Sequence, residues 1–332
     1  MTVAHFDLAG SLFEVTAEHG RLIEPFETFL GELSVEGTAE PAFRLAVRYG
    51  TPAAVPEGAK IICDDPDNEG GPCRFAEIGH ELYLLFPEKV SLRLDGGERS
   101  AEMVVAPGCE DKINATAGIH AIDAAISASG QYLLHSAGLT LPGGGASILV
   151  YGPSGAGKTT TALALAGAGF GLASDDAMVL RVNDSGASAW GLPRSLKVHR
   201  RTCAMLPWLA PLVTDDWDDA DEQVLRRDQL RGIIEIEAAK PVPITAICHL
   251  VRDNDPASAV VALSRTDALT SLVADNLRTG RTGLLPAGKR LFDALARLVS
   301  QVPVLEIHPD GNPAAMAPLI LRSLEEKGVL GH

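Results

Sequence analysis

The chain has 332 residues, with 28 Lys and Arg against 43 Asp and Glu, so its formal net charge is -15. This length allows two domains, and the acidic balance argues against nucleic acid as a partner, because binding to a phosphate backbone draws on clustered positive charge. With no apolar run of about eighteen residues and no basic-then-apolar start, the sequence predicts no membrane span, no secretory signal and a cytoplasmic protein.

The first predicted domain, residues 1–125, contains no nucleotide-binding motif. It shows short alternating runs at Phe43–Tyr49, Glu81–Phe86 and 90–94, separated by Gly, Pro and Asp turns. Period-two alternation is typical of strands, so this domain is expected to be mostly β. It is the smaller of the two predicted domains, and its expected role is in substrate or partner binding. An amphipathic helix is predicted over 113–129.

The second predicted domain, residues 126–332, begins with an apolar stretch over 132–141 that contains His135. A glycine-rich turn at 142–145 leads into the apolar run 148–151, and this order favours a hairpin. A lone histidine in an apolar run is usually a core residue. The hairpin would bring His135 near one end or the other of the following strand, depending on the register.

A phosphate-binding loop follows that strand at 152–160. Its glycines, lysine and threonine satisfy the spacing G-x-x-x-x-G-K-[ST], and a strand pattern before it and an alanine- and leucine-rich helix pattern after it supply the context that the motif requires. Glycines let backbone N–H groups point at phosphate oxygens, and the dipole of the helix adds positive potential there. The residues predicted to bind ATP are Gly152, Pro153, Ser154, Gly155, Ala156, Gly157, Lys158, Thr159 and Thr160.

Two carboxylates complete this set. Asp175 and Asp176 end a short apolar run and come 17 and 18 positions after Lys158. Phosphoryl transfer needs clamped phosphates, a metal ion and a base that orients the acceptor. Lys158 is expected to lie against the β- and γ-phosphates, and the hydroxyl of Thr159 to ligate magnesium. The alternative for the aspartates is a turn or a helix cap, which Asp favours.

Two charged segments lie further along the chain. Basic side chains cluster over 194–201, and Arg194 and Lys197 are predicted to contact ATP phosphates, a phosphorylated product or an acidic substrate. A solvated basic face is the alternative. The run 215–222 places six carboxylates in eight positions. Without a glycine-punctuated ligand loop, it predicts a solvated surface loop rather than a calcium site.

Strands and helices alternate from about residue 130 onward, which favours an α/β domain. Strand patterns occur at 195–198, 244–251 and 302–307. Helix patterns occur at 268–278, 289–301 and 314–327.

The segment from His135 through the loop to Asp175 and Asp176 resembles the catalytic domain of the bacterial HPr kinase/phosphorylase family. That family shares its nucleotide-binding fold with ATP-dependent phosphoenolpyruvate carboxykinase. A later stretch at 230–236, Leu-Arg-Gly-Ile-Ile-Glu-Ile, is similar to the family's Arg-Gly signature. The resemblance implies an α/β fold with a P-loop domain of this type beside a smaller, mostly β N-terminal domain, and it implies ATP and Mg²⁺ as cofactors.

The resemblance also implies roles for the catalytic residues. Asp175 corresponds to the residue that takes the proton from the attacking serine hydroxyl, and His135 corresponds to the histidine that assists it. Lys158 corresponds to the phosphate contact.

Metal ligands follow from the same resemblance. Thr159 and Asp176 correspond to magnesium contacts. The family's second magnesium carboxylate precedes the Arg-Gly turn, where this chain offers Asp228, and Glu235 is a further candidate.

The layout is similar to HPr kinase-related proteins of bacterial peptide-modification gene clusters, including lasso-peptide precursor kinases. The expected function is transfer of the γ-phosphate of Mg-ATP to a hydroxyl, first of all a serine of a peptide or small protein. A small-molecule kinase, a carboxykinase-like enzyme and a non-catalytic nucleotide sensor are the alternatives. A homo-oligomer is also among the expectations.

Overall fold

The computed structural model describes residues 1–37, 39–65, 71–95, 99–113, 117–251, 259–277, 279–280, 283–284, 286–308, 312 and 315–328. Contacts divide the chain into two compact units, Met1–Tyr132 with Arg278–Gly288 and Leu133–Leu277 with Lys289–His332. The predicted division lies at 125/126 and assigns residues 278–288 to the second domain. The sequence does not indicate that this segment joins the first unit, because contacts between distant parts of a chain leave no local pattern.

The first unit is mostly β. Its main elements are β1 (Thr2–Asp7), β2 (Leu12–Ala17), α1 (Glu24–Leu30), β3 (Phe43–Tyr49), β4 (Lys60–Asp65), β5 (Cys73–Ile78), β6 (Glu81–Phe86), β7 (Val90–Asp95), β8 (Ser100–Val105) and α2 (Gly118–Ala128). The strands form one eight-stranded sheet in the order β1-β2-β3-β8-β7-β6-β5-β4. The contacts β2–β3 and β3–β8 are parallel, and the other neighbours are antiparallel.

Alternation along the strands separates the two faces of this sheet. On β3, Phe43, Leu45 and Val47 are buried while the residues between them are exposed. The ring of Phe13 lies 6.1 to 6.3 Å from three other phenylalanine rings, which gives the core an aromatic centre. The opposite face carries ion pairs such as Arg48–Glu102, at 2.8 Å between Nε and Oε1.

The second unit alternates strands and helices. Its elements are β9 (Tyr132–His135), β10 (Ala137–Thr140), β11 (Ser147–Tyr151), α3 (Lys158–Gly167), β12 (Gly171–Ser174), β13 (Ala177–Asn183), β14 (Gly186–Gly191), β15 (Leu196–His199), α4 (Arg200–Met205), β16 (Glu222–Leu225), α5 (Arg227–Leu230), β17 (Val242–Leu250), β18 (Ala259–Ala262), α6 (Arg265–Asn276), α7 (Pro286–Gln301), β21 (Val304–His308) and α8 (Met316–Glu326). The two-residue strands β19 (Thr279–Gly280) and β20 (Gly283–Leu284) pair with each other within the segment 278–288.

Nine strands of the second unit form one sheet, with the path β12-β10-β11-β17-β14-β13-β9 and with β21 between β17 and β18. The core on one face of this sheet contains Ile148, Val150, Ala246, Cys248 and Ile307 together with side chains of α3 and α8. β10 runs antiparallel to β11, so the predicted hairpin over 132–151 is confirmed.

The three tryptophans of the chain all belong to the second unit. Trp190 on β14 is 1% exposed, and Trp208 packs against the core beside Gly167 at the end of α3. Trp217 lies in the acidic run, where the guanidinium of Arg200 stacks over its ring at 5.1 Å.

Both large sheets and their helices make this a mixed α/β chain, as the patterns predict. In the part of the chain that the structure describes, none of the helices combines the length and apolar character needed to cross a bilayer.

Candidate phosphate-binding and transfer site

The phosphate-binding-loop motif connects β11 to α3. Gly152 has a φ of +154°, and a Cβ at this position would lie 2.7 Å from the carbonyl oxygen of Leu250. Gly157 precedes α3 in the left-handed region, with a φ of +100°. Both positions therefore need glycine, because a side chain would clash at the first and strain the backbone at the second. Residues 153–155 between them are exposed and open to a ligand.

Lys158 is the first residue of α3 and is only 8% exposed. Its Nζ donates to the carbonyl oxygen of Gly152 at 2.9 Å, so the side chain folds back across the loop. Burial lowers the pKa of this ammonium, while the charges of Asp176, Asp275 and Asp175 act in the opposite direction. A buried cation at a helix N-terminus makes this loop a favourable place for phosphate.

Asp175 follows the last residue of β12 and is 6% exposed. Its Oδ2 accepts a hydrogen bond of 2.9 Å from the hydroxyl of Thr159. This bond joins the end of β12 to the first turn of α3. The structure thus brings the predicted metal-binding hydroxyl into contact with the predicted base.

The pairing of β10 with β11 settles where His135 lies. Ala137 is opposite Val150, so His135 is beyond that pair at the loop end of β11. Its Nε2 donates to Asp176 Oδ1 at 3.0 Å, and Nη1 of Arg194 lies 3.9 Å from Asp176 Oδ2. The imidazole is 43% exposed, so it is not a core side chain.

The two adjacent carboxylates differ in proton affinity. Burial, together with the charge of Asp176, raises the pKa of Asp175 to about 6, although the hydrogen bond from Thr159 acts against this. Burial would also raise the pKa of Asp176, but the hydrogen bond and charge of His135, with the charges of Arg194 and Lys158, outweigh it and the pKa is lowered. Asp176 therefore stays ionised to lower pH than Asp175.

The observed contacts of His135 and Thr159 differ from those that the resemblance implies. The resemblance couples His135 to Asp175 and Thr159 to Asp176, whereas in the structure His135 contacts Asp176 and Thr159 contacts Asp175. The carboxylates are adjacent in sequence, and the charge of Asp176 acts on Asp175.

The remaining predicted ligands lie in other contacts. Nζ of Lys197, 60% exposed, is 3.9 Å from Glu222 Oε2. The carboxylate of Asp228 is exposed and accepts from Nε of Arg226 at 3.0 Å, which lowers its pKa. Glu235 is also exposed. Their roles in binding phosphate or metal stay predictions.

Part of the basic cluster is neutralised by the acidic run. Nε of Arg200 lies 3.1 Å from Asp221 Oδ1, and β15 pairs with β16 so that His199 is opposite Glu222. Asp218 Oδ1 accepts backbone N–H bonds from Ala220 and Glu222. The run is solvent-exposed, as predicted, and is also tied to the basic strand.

Two residues near the site had no signal in the sequence analysis. Arg227 is buried, and its guanidinium donates to the carbonyl oxygens of Ala173 and Glu237 at 2.8 and 2.7 Å, which holds the strand that leads to Asp175. Asn276 Oδ1 accepts the backbone N–H of His135 at 2.7 Å. Buried arginines and helix-end asparagines are not distinguished by local patterns.

The residues at this site fit a magnesium nucleotide. Across the described residues, no group of three or more His, Cys, Asp and Glu side chains is arranged to hold a metal ion. A hydroxyl and one or two carboxylates beside a phosphate loop suit Mg²⁺, which usually takes its other ligands from water and substrate phosphates. Thr159 with the adjacent carboxylates supplies such a partial set.

Comparisons with known proteins give little further information. No known family model matches the chain, and no curated protein matches it in sequence. Among solved structures, it is similar to the Hpr(Ser) kinase/phosphatase from Coxiella burnetii, with 11% identity over 59% of this chain and 97% of that chain and a TM-score of 0.33.

Proposed function

We propose that the protein is a Mg-ATP-dependent kinase of HPr kinase type that transfers the γ-phosphate to a hydroxyl, with a serine of a peptide or small protein as the favoured acceptor. The observation that carries this proposal is the hydrogen bond between Thr159 and Asp175. It joins a phosphate-binding loop to a pair of carboxylates that also contact a histidine and an arginine. A loop that only binds nucleotide does not need this second group of residues.

Asp175 is assigned as the base because its pKa, near 6, is better matched to proton transfer at neutral pH than that of an ordinary aspartate. His135 acts on it indirectly, by holding Asp176, whose charge contributes to the raised pKa of Asp175. Lys158 and the loop hold the phosphates, and Arg194 offers positive charge beside the carboxylates.

In the proposed reaction, the acceptor oxygen forms a bond to the γ-phosphorus while the bond from that phosphorus to the bridging oxygen breaks and ADP leaves. The hydroxyl proton passes to Asp175. Thr159 and Asp176 are the residues proposed to hold magnesium, which would neutralise the charge that develops on the phosphates. The first unit is proposed to bind the acceptor or a partner.

The function is tested by incubating the protein with Mg-ATP labelled at the γ-phosphate and a cytoplasmic extract of its host, then separating acid-precipitable from soluble label. Label in peptide or protein that disappears with Asp175→Asn is the expected result, and it provides the acceptor for sequencing. Label only in a soluble ester would replace the acceptor by a small molecule. Release of free phosphate alone would contradict the kinase proposal.

His135→Ala is expected to slow transfer by about one to several powers of ten, the range of acid–base assistance. The substitution removes the hydrogen bond to Asp176 without touching the loop. The rate is measured at saturating Mg-ATP, with His80→Ala in the first unit as the control, since that histidine is also exposed and also lies near an aspartate. Equal rates for both variants would remove His135 from the mechanism.

The kcat/KM of transfer is expected to fall about tenfold per pH unit below about pH 6, because the base must be deprotonated and burial raises the pKa of Asp175 to about 6. The charge of Asp176 contributes to that rise. Asp176→Asn should therefore move the acid limb to lower pH, at saturating magnesium. If the acid limb of the Asp176→Asn variant stayed at the wild-type pH, the pH dependence would not arise from Asp175 and Asp176.

A further inference from the structure

Helix α6 ends beside the proposed transfer site. Its buried residues Ala268 and Leu272 pack inward, and the hydroxyl of Ser271 hydrogen-bonds that of Tyr151 at 2.8 Å. Tyr151 is the last residue of β11, directly before the phosphate-binding loop. The helix is thus attached to the strand that carries the loop.

Asn276, the last residue of α6, uses both ends of its side-chain amide. Its Nδ2 donates to the carbonyl oxygen of Leu272 at 3.0 Å, and its Oδ1 accepts the backbone N–H of His135 at 2.7 Å. Because a backbone N–H can only donate and a carbonyl oxygen can only accept, these two contacts allow one orientation of the amide. The side chain therefore joins the end of α6 to the end of β9.

Helix propensity does not favour asparagine at this position. Asparagine is a weak helix former, and the C-cap residue is Leu277. The charge of the neighbouring residue Asp275 is among those that raise the pKa of Lys158. The end of α6 therefore lies within electrostatic reach of the phosphate-binding loop.

His135 depends on such an anchor. Its contact with Asp176 joins side chains that are 43% and 52% exposed, and solvent screening leaves an exposed pair of this kind little stabilising energy. A contact this weak does not by itself fix an imidazole. Misplacing a catalytic group by about 1 Å can cost a hundredfold in rate.

We infer that Asn276 is a positioning residue of the transfer site, whose side-chain carbonyl fixes the backbone of His135 and thereby keeps its imidazole on Asp176. This inference rests on the proposed function for its effect on rate, but the anchoring itself does not need substrate. It connects α6, which braces the loop strand through Tyr151, to the carboxylate pair on the other side of the site.

The anchoring is tested by exchange of the His135 amide hydrogen, followed by NMR in the whole protein without ligand. Asn276→Ala is expected to speed this exchange about fivefold or more, as loss of one hydrogen bond allows, while Asn276→Asp keeps an acceptor and should retain most of the protection. Thr270→Ala, at an exposed position of the same helix, is the matched control. Unchanged exchange in Asn276→Ala would overturn the inference even if the protein transfers no phosphate.

The functional effect is tested by a double-mutant cycle. Asn276→Ala is expected to lower kcat about ten- to a hundredfold with the KM for ATP unchanged, and to have no further effect when His135 is already alanine. Independent effects of the two substitutions would show that Asn276 acts elsewhere. Should the alanine variant not fold, Asn276→Leu fills similar space without an acceptor and carries the same test.

Discussion

Asp175→Asn is expected to abolish phosphoryl transfer while the protein still binds ATP. The substitution keeps an oxygen that can accept the hydrogen bond from the hydroxyl of Thr159. It removes the carboxylate that would take the proton of the acceptor hydroxyl. Loss of a positioned base costs about a hundred- to ten-thousandfold in rate. Transfer of labelled phosphate and ATP binding by calorimetry measure the two effects separately.

The same variant should be more stable than the wild type at neutral pH. Asp175 is buried beside Asp176, and its pKa rises from 3.8 to about 6, so ionising it costs the folded state up to about 3 kcal/mol. Because the pKa of Asp175 is raised in the folded state, the wild type keeps its full stability below the unfolded-state pKa. It loses stability as pH rises through the folded-state pKa. The excess stability of Asp175→Asn should therefore vanish as pH falls from 7 to below 4, in urea unfolding at each pH.

Asp176→Asn is the matched control, because it removes the adjacent carboxylate. It should raise the magnesium concentration needed for transfer and leave more transfer than Asp175→Asn does. If Asp175→Asn turned over at the wild-type rate while Asp176→Asn did not, the base would be Asp176, in keeping with its contact to His135.

Lys158→Ala is the second substitution with a large expected effect. It should lower transfer by at least about a hundredfold, the range for one lost electrostatic stabiliser, and weaken ATP binding about ten- to a hundredfold, since a hydrogen bond to a charged group is worth about 1.5–3 kcal/mol. The lysine is buried in the loop and donates to Gly152. Transfer rate and ATP affinity are the two measurements.

Packing and charge are separated by a second variant. Lys158→Met keeps the apolar stem and removes only the ammonium, so it should behave like Lys158→Ala in both measurements. Lys240→Ala removes an equal charge from an exposed position and should change neither. An ATP affinity that survives in Lys158→Met would mean that the loop does not hold phosphate through this side chain.

Local patterns predicted much of the fold. The observed β3 and β6 have the predicted bounds, and along β3 exposed residues alternate with buried apolar ones. The loop motif and its flanking strand and helix depend on residues close together in sequence, and they are observed as β11 and α3. The strands β13 and β14 were not predicted. In β14, Gly186–Gly191 consists of small residues and one tryptophan and lacks alternation.

The candidate site was predictable in its residue types but not in its contacts. Thr159, Asp175 and Asp176 were singled out because the motif and the strand end identify them, and the structure brings them together with His135. Asn276 contacts a residue 141 positions away, and no local pattern records a pairing at that distance. The roles proposed for these residues in catalysis and metal binding remain predictions.

The distribution of tryptophan has a practical consequence. Because Trp190, Trp208 and Trp217 all belong to the second unit, intrinsic emission excited near the red edge of absorption originates from that unit alone. Trp208 packs beside the end of α3, the helix that begins with Lys158. Nucleotide titrations and melting of the second unit can thus be followed without a label.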